Sequence, residues 1–345
     1  MKIAMILPSL ANKGPVIVAK DLCEQFIRKG HDCKVYYLDD NMQLQMPCPV
    51  ERISFWQSID FTQWDVIHSH MFRPDGYVWY HLRMRHIPSS VKLVTTLHQP
   101  ITFAAIRSQY NNLKSLMAYY LWAWFITAFD NVVVLNDATA QSMRRRFSRL
   151  NLSVVHNGRD IATGHISTDI SQITDLKNEY RIIGTCSNIT RRKGLSQMVK
   201  ALQFLPDYAF VAVGDGEQLQ ELQQLAARLG VQDRCVWLGY RANATDYLSL
   251  FDLFVMCTYS EGFPLALIEA AAYGLPTVLS DIPILKSIIS EPDVSFYHQD
   301  NISDLVSKIE HVYRHRTEYG RNIRQRYEQE MTASVMSENY LKIYG

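Results

Sequence analysis

The sequence predicts an α/β protein made of two doubly wound domains, each with a parallel sheet between helices. Short runs rich in Val and Ile alternate with helix-type stretches along the whole chain, and this alternation restarts after a polar stretch near the middle. Several of the runs are continuously apolar, as expected for strands buried on both faces. The length of 345 residues also fits two domains, since one domain takes roughly 100–200 residues.

The first half contains six strand-type runs, at residues 2–7, 33–38, 66–70, 92–97, 131–136 and 153–157. A helix-type stretch at 16–29 separates the first two and is followed by Gly30, a residue type that commonly ends helices. The apolar, aromatic stretch 116–129 is shorter than the roughly 20 residues that a membrane-spanning helix needs. We expect it to form a helix that packs in the core, with membrane contact as the alternative.

The second half repeats the pattern, with strand-type runs at 182–187, 208–214, 234–239, 253–258, 276–281 and 294–298. Among its helix-type stretches, 218–229 places leucines and an alanine on one face and stops at Gly230. We therefore expect a first domain at 1–162, a linker at 163–180, a second domain at 181–325 and a C-terminal helix at 326–345. Packing of that last helix on the first domain is left open.

The charge pattern limits the classes of partner. A net charge of +1 argues against a nucleic-acid-binding protein. Residues 1–160 hold 18 Lys and Arg against 12 Asp and Glu, and the remainder hold 17 against 22. The basic first half could contact an anionic acceptor or an anionic membrane. Equally, the two halves could simply have solvated surfaces that differ in charge.

The cysteines and the N-terminus indicate a cytoplasmic protein. Six cysteines are scattered without zinc-binding spacing and read as reduced thiols. The sequence opens on a strand-type run instead of a signal peptide. A peripheral position on the inner face of the membrane is the alternative that the basic first half keeps open.

The most informative segment for chemistry is 260–274. A buried strand runs into a loop with Glu261 and Gly262, and a helix is expected to carry Pro264 in its first turn. The free N–H groups and positive dipole end of that helix suit a diphosphate. Glu261 can accept hydrogen bonds from sugar hydroxyls, and Glu269 can accept both hydroxyls of a ribose. The alternative is a helix with one capping acid and one surface acid.

A second segment, 187–194, also follows a strand and precedes a helix. It contains Arg191, Arg192 and Lys193. A leaving diphosphate needs cations in a region of low dielectric, which these side chains can supply. The alternative is a basic turn in solvent.

These segments resemble the retaining glycosyltransferases of family 4, which have the GT-B fold: two Rossmann-like domains facing a central cleft. Residues 261–269 match the family's E-x7-E signature, and 187–194 occupy the place of its pyrophosphate-binding loop. Lys193 matches that loop, whereas Asn188 stands where the family has Arg, and Arg192 is our favoured substitute. The resemblance extends to 154–158, 213–216 and 235–240, covering nearly the whole chain.

The resemblance implies specific site residues. Glu261 and His98 are implied at the reacting sugar. His68 and His70 also match a family pattern, and we expect them to be structural. The residues implied in donor binding are Glu269, Lys193, Arg192, Asn188, Gly14, Gly262, Phe263, Pro264, Leu265 and Tyr240.

By this resemblance, the chain moves a hexose-type sugar from a UDP- or GDP-sugar to a hydroxyl of a glycan or lipid-linked acceptor, in the biosynthesis of bacterial envelope polysaccharide or lipopolysaccharide. No DxD-like pair lies beside the motifs, so we expect no metal cofactor. Because of Asn188, a catalytically inactive sugar-nucleotide-binding relative acting as a partner subunit is an alternative. An NAD-dependent oxidoreductase is disfavoured, since the glycine fingerprint is missing.

Overall fold

The computed structural model describes residues 1–102, 112–163 and 171–345. These residues form two compact units, one of 1–160 together with 332–345 and the other of 161–331. The expected linker at 163–180 lies partly outside the described residues, and its remaining part contains a helix from Ser171 to Lys177.

The first unit contains a parallel sheet in the order β3-β2-β1-β4-β5-β6-β7 among its described residues. The order reverses between β1 and β4, and open α/β sheets bind ligands at the carboxyl ends of strands beside such a point. The strands are β1 Lys2–Leu7, β2 Asp32–Tyr37, β3 Val50–Arg52, β4 Val66–His70, β5 Lys92–Leu97, β6 Asn131–Val134 and β7 Leu152–Val154.

The second unit contains a parallel sheet in the order β10-β9-β8-β11-β12-β13. Its order reverses between β8 and β11, which pair directly. The strands are β8 Arg181–Cys186, β9 Tyr208–Val213, β10 Cys235–Trp237, β11 Leu253–Met256, β12 Thr277–Ser280 and β13 Ser295–Tyr297. All strands predicted from the sequence are therefore present.

Strand β3 was not predicted. It has three residues, Val50–Arg52, lies at the sheet edge and is buried on neither face. Pro47 and Pro49 precede it, and three residues without a buried face are too few to leave a period in the sequence.

The helices complete both units. Helix α1 begins two residues before the predicted start, because Gly14 and Pro15 already lie in its first turn. The described helices are α1 Gly14–Arg28, α2 Phe72–Arg83, α3 Asn112–Phe125, α4 Asp137–Arg146, α5 Ser171–Lys177, α6 Ser196–Ala201, α7 Leu219–Arg228, α8 Leu265–Ala272, α9 Pro283–Lys286, α10 Ile302–Arg314, α11 Arg316–Glu330 and α12 Ala333–Tyr344.

The C-terminal segment expected at 326–345 is divided in the structure. Helix α11 ends at Glu330, and Thr332 then caps α12 by accepting a hydrogen bond from the Val335 N–H at 3.3 Å. Helix α12 packs on α1, with the rings of Tyr344 and Phe26 5.5 Å apart. For this reason 332–345 belong to the first unit.

Helix α3 has two apolar faces. Ala118 and Trp122 are buried in the core of the first unit, as predicted. The opposite face, which we call the α3 outer face, is 44–64% exposed and consists of Leu116, Met117, Tyr120 and Trp124. The core-packing prediction thus holds for only one side of the helix. No described helix combines the length and apolar character needed to cross a bilayer.

Candidate active site

The loops after β8 and β11 lie side by side in the second unit. The Tyr259 N–H donates to the Arg192 carbonyl at 2.8 Å, which joins the two loops. Gly194 lies at φ +61°, and a Cβ there would stand 2.2 Å from the Cys257 carbonyl oxygen. Only glycine allows this approach, so the position of Lys193 beside β11 depends on the residue that follows it.

Glu261 is the buried centre of an ionic cluster in which Arg192 is half exposed. Its Oε1 lies 2.6 Å from Lys193 Nζ and its Oε2 lies 3.2 Å from Arg192 Nη1. Thr258 Oγ1 donates to the same carboxylate at 2.8 Å. Burial acts to raise the pKa of Glu261, but the nearby charges of Lys193 and Arg192 outweigh it and hold the pKa below its usual value. Glu261 is therefore ionised at neutral pH.

Arg191 and Arg192, in the loop after β8, have different surroundings. Arg192 contacts Glu261 and donates to the Ser260 carbonyl. Arg191 has an 80% exposed side chain and pairs with Glu221 at 3.3 Å. Exposed pairs of this kind contribute little to stability. Of the two arginines, the one in contact with the Glu261 cluster is Arg192.

Helix α8 begins one residue later than predicted. Pro264 has extended backbone angles and takes the N-cap position, so Leu265 is the first helical residue. Phe263 and Pro264 are buried, whereas Gly262 and Leu265 are partly exposed. The start of the helix directly follows the buried Glu261.

Glu269 lies on α8, in the second turn of the helix. It is partly exposed. The pKa of the Cys186 thiol is raised mainly by burial and, to a smaller extent, by the negative charge of Glu269. Glu269 therefore lies near the carboxyl end of β8, where Cys186 is found. Of the two acids of the E-x7-E segment, Glu261 thus lies in the loop before α8 and Glu269 lies within the helix.

Two further predicted donor residues lie outside the ionic cluster. Asn188 is exposed, and its carbonyl accepts from the Thr190 N–H at 3.0 Å. Tyr240 follows β10 and is also exposed. Neither residue contacts Glu261 through a described hydrogen bond or ion pair.

The remaining predicted residues belong to the first unit. Gly14 is the first residue of α1, because Lys13 takes the N-cap position. His98 directly follows β5, and its Nε2 lies 2.8 Å from Nδ1 of His70. Burial lowers the pKa of His98 to about 3, so its ring is neutral at physiological pH.

A cavity of about 250 Å³ lies at the carboxyl ends of β1 and β4 in the first unit. Phe72 and Trp122 line it with aromatic rings, Lys13 supplies positive charge, and Arg73 is paired with Asp39, which also lines the cavity. The Trp122 indole is fixed by its N–H, which donates to the buried Asp75 carboxylate at 2.7 Å. The partly exposed Phe72 ring can face a sugar ring, whereas Trp122 is buried and packs edge to face with Phe72.

Sequence reasoning missed two polar groups of the site. Thr258 bonds Glu261, and Ser187 has a buried Oγ without a hydrogen-bond partner among the described residues. Both residues lie just after strands that flank the reversal point. Their position at strand ends was the available signal, but hydroxyl residues are too common there for it to stand out.

Comparison with known protein families shows to which class of enzyme this chain belongs. A model described as glycosyl transferases group 1 matches residues 167–329, and a model described as glycosyltransferase family 4 matches residues 13–163. The chain belongs to glycosyltransferase family 4. It is thus a transferase, as the resemblance of its motifs implied.

The O-antigen biosynthesis glycosyltransferase WclY of Escherichia coli is 24% identical over 360 residues, covering 100% of this chain and 98% of WclY. The UDP-Gal:alpha-D-GlcNAc-diphosphoundecaprenol alpha-1,3-galactosyltransferase of Escherichia coli is 24% identical over 245 residues, covering 67% of this chain and 61% of the relative. HepE of Anabaena, solved with UDP, superposes with a TM-score of 0.79 at 18% identity, covering 99% of both chains. The GT-B fold is confirmed.

Proposed function

We propose that this glycosyltransferase moves a hexose-type sugar from a UDP- or GDP-sugar to a hydroxyl of a glycan or lipid-linked acceptor, with retention of anomeric configuration. The observation that carries the proposal is the buried, ionised Glu261 with Lys193 and Arg192 at the start of α8. Such a cluster offers cations and helix N–H groups for a diphosphate, and a carboxylate for sugar hydroxyls.

The proposed reaction is a substitution on one face of the sugar. The bond between the anomeric carbon and the leaving phosphate oxygen breaks, and positive charge develops on the sugar. The acceptor hydroxyl attacks from the same face, and its proton passes to the leaving phosphate oxygen. Lys193 and Arg192 stabilise the charge on the diphosphate, while Glu261 holds the sugar. We propose that these cations and the α8 dipole neutralise the diphosphate without a metal ion.

The names of the relatives support a role in bacterial envelope polysaccharide biosynthesis. WclY is named for O-antigen biosynthesis, and the galactosyltransferase is named for a diphosphoundecaprenol-linked acceptor. We extend to this chain the general class, a glycan or lipid-linked acceptor. The cavity beside Trp122 is the proposed place for its sugar.

Screening of nucleotides by thermal shift tests the donor class. UDP or GDP is expected to stabilise the protein, by about 2.7 kcal/mol at 100 times its Kd. The matching NDP-sugars are then assayed for turnover, and the anomeric configuration of the released or transferred sugar is read by NMR. A nucleotide that stabilises without any turnover would support the inactive relative. Inverted product, or stabilisation by neither UDP nor GDP, would contradict the proposal.

We also propose that the first unit contacts an anionic membrane through the α3 outer face. Exposed apolar patches of this kind commonly mark interaction surfaces. Basic side chains flank this face: Arg146 lies over the Tyr119 ring, and Arg83 lies over Trp79, whose ring packs on Trp124. Aromatic residues beside arginines suit the headgroup region of an anionic bilayer.

Vesicle binding tests this surface. The double variant Tyr120→Ser/Trp124→Ser is expected to bind anionic phosphatidylglycerol vesicles about tenfold more weakly, because it removes apolar area that would otherwise be buried. Phe204→Ser, which alters an equally exposed residue of the second unit, serves as the control. Wild-type binding should also fall steeply with salt, as the Debye length shrinks from about 10 Å at 0.1 M to 3 Å at 1 M. If the wild-type protein did not bind anionic vesicles even at low salt, the membrane proposal would be contradicted. The excess of basic residues in the first half would then be a feature of surface composition alone.

A further inference from the structure

A chain of buried polar side chains adjoins His98 in the first unit. His98 directly follows β5, and His70 is the last residue of the neighbouring strand β4. Nε2 of His98 lies 2.8 Å from Nδ1 of His70, and the two rings stack with their centroids 5.1 Å apart. One ring must donate the proton of this hydrogen bond and the other must accept it.

The surroundings of His70 decide which ring donates. Burial lowers the pKa of His98 to about 3 and the pKa of His70 well below its usual value, so each neutral ring carries one N–H. Nε2 of His70 is buried without a hydrogen-bond partner among the described residues. If His98 donated, His70 would carry its proton on that Nε2, where the N–H would find no acceptor. If His70 donates, only a lone pair is left unpaired, and buried unpaired N–H groups are the rarer of the two.

The next members of the chain hold His70 in place. The His68 ring packs against the His70 ring with centroids 4.3 Å apart. Both nitrogens of His68 are bonded, Nε2 to Thr96 Oγ1 and Nδ1 to the Tyr344 hydroxyl, each at 2.7 Å. Thr96 Oγ1 in turn lies 2.8 Å from the Tyr340 hydroxyl. Helix α12 thus fixes the histidines through its two tyrosines.

We propose that His70 is a positioning residue that fixes His98 in the tautomer with its proton on Nδ1. The Nδ1–H group of His70 donates a hydrogen bond to Nε2 of His98. Nδ1 of His98 makes no hydrogen bond within the described residues. His98 then offers a hydrogen-bond donor, not a base, to the substrate. The use of that donor rests on the proposed function and on the family resemblance, which implies that His98 lies at the reacting sugar.

The tautomer is measured directly by NMR, without substrate. The imidazole ¹⁵N shifts of wild-type His98 are expected to show a protonated Nδ1 and an unprotonated Nε2. In His70→Leu, which lacks the donor, His98 is expected to lose this single form and populate both tautomers. A wild-type spectrum with the proton on Nε2 of His98 would overturn the proposal. This measurement stands even if the protein transfers no sugar, so its result is separate from that of the proposed function.

Kinetics then test whether His70 acts through His98. His70→Leu is expected to lower kcat about tenfold with little change in KM, the size expected for one lost hydrogen bond. His70→Asn, whose amide places an N–H near the position of Nδ1, should recover most of that loss. In the His98→Ala background, His70→Leu should change kcat less than about twofold, because the group it positions is absent. Equal losses in both backgrounds would show that His70 has only a structural role.

Discussion

Arg192→Ala is expected to lower kcat/KM by about 30- to 1,000-fold, or roughly 2–4 kcal/mol, the range for removing one stabiliser of transition-state charge. Arg192 reaches the buried Glu261 carboxylate at 3.2 Å. Its guanidinium has five N–H donors, so it can contact Glu261 and a diphosphate at the same time. Steady-state kinetics with the donor identified by thermal shift measure the effect.

Arg191→Ala is the matched control, since it removes the same side chain from the adjacent position. In the part of the chain that the structure describes, the Arg191 side chain is 80% exposed and pairs with the exposed Glu221, so its loss should change kcat/KM by less than about 0.5 kcal/mol. Asn188→Arg, which restores the family residue, should add little if Arg192 already supplies the charge. Wild-type rates in Arg192→Ala together with faster turnover in Asn188→Arg would contradict this compensation.

Glu261→Gln is expected to lower kcat by about 100-fold or more, while the affinity for free UDP or GDP changes by less than about threefold. The substitution keeps the size of the side chain and its bond to Thr258, but it removes the charge that Lys193 and Arg192 face. The loss should therefore appear in turnover of the intact donor. Kinetics and calorimetric titration with the nucleotide separate the two effects.

Glu269→Ala provides the contrasting variant from the same segment. If Glu269 binds the ribose hydroxyls, both the free nucleotide and the NDP-sugar should bind about 10- to 150-fold more weakly, which corresponds to roughly 1.5–3 kcal/mol for a charged hydrogen-bond partner. Glu261 lies in the loop beside Lys193, whereas Glu269 lies within α8 near Cys186, and this division of roles is based on those two positions. Equal losses of nucleotide affinity in Glu261→Gln and Glu269→Ala would contradict it.

Local patterns in the sequence determined most of the fold. Strands buried on both faces leave continuous apolar runs, so β1, β8 and their neighbours were predictable without a structure. The motif spacing identified Glu261, Glu269 and Lys193 as candidates, because strand-loop-helix segments place such residues at the carboxyl end of a sheet.

The sequence alone did not decide which side chains meet. Adjacent arginines look alike in a sequence, and only the packing of the loop after β8 against β11 turns Arg192 to Glu261 and leaves Arg191 in solvent. Thr258 and His70 likewise gain their roles from partners that are distant along the chain. Tertiary structure determines such contacts, since they depend on how strand ends are brought together.

The sequence by itself thus determined the two parallel sheets and the family, and it supplied the acidic and basic candidate residues of the site. Only the tertiary structure decided that α12 joins the first unit, that α3 exposes a second apolar face, and that His70 and His98 are hydrogen-bonded. The physical reason is that the periodicity of a sequence shows which positions are apolar and at what spacing apolar residues recur. Which group faces it across the fold depends on packing and hydrogen bonding between distant segments.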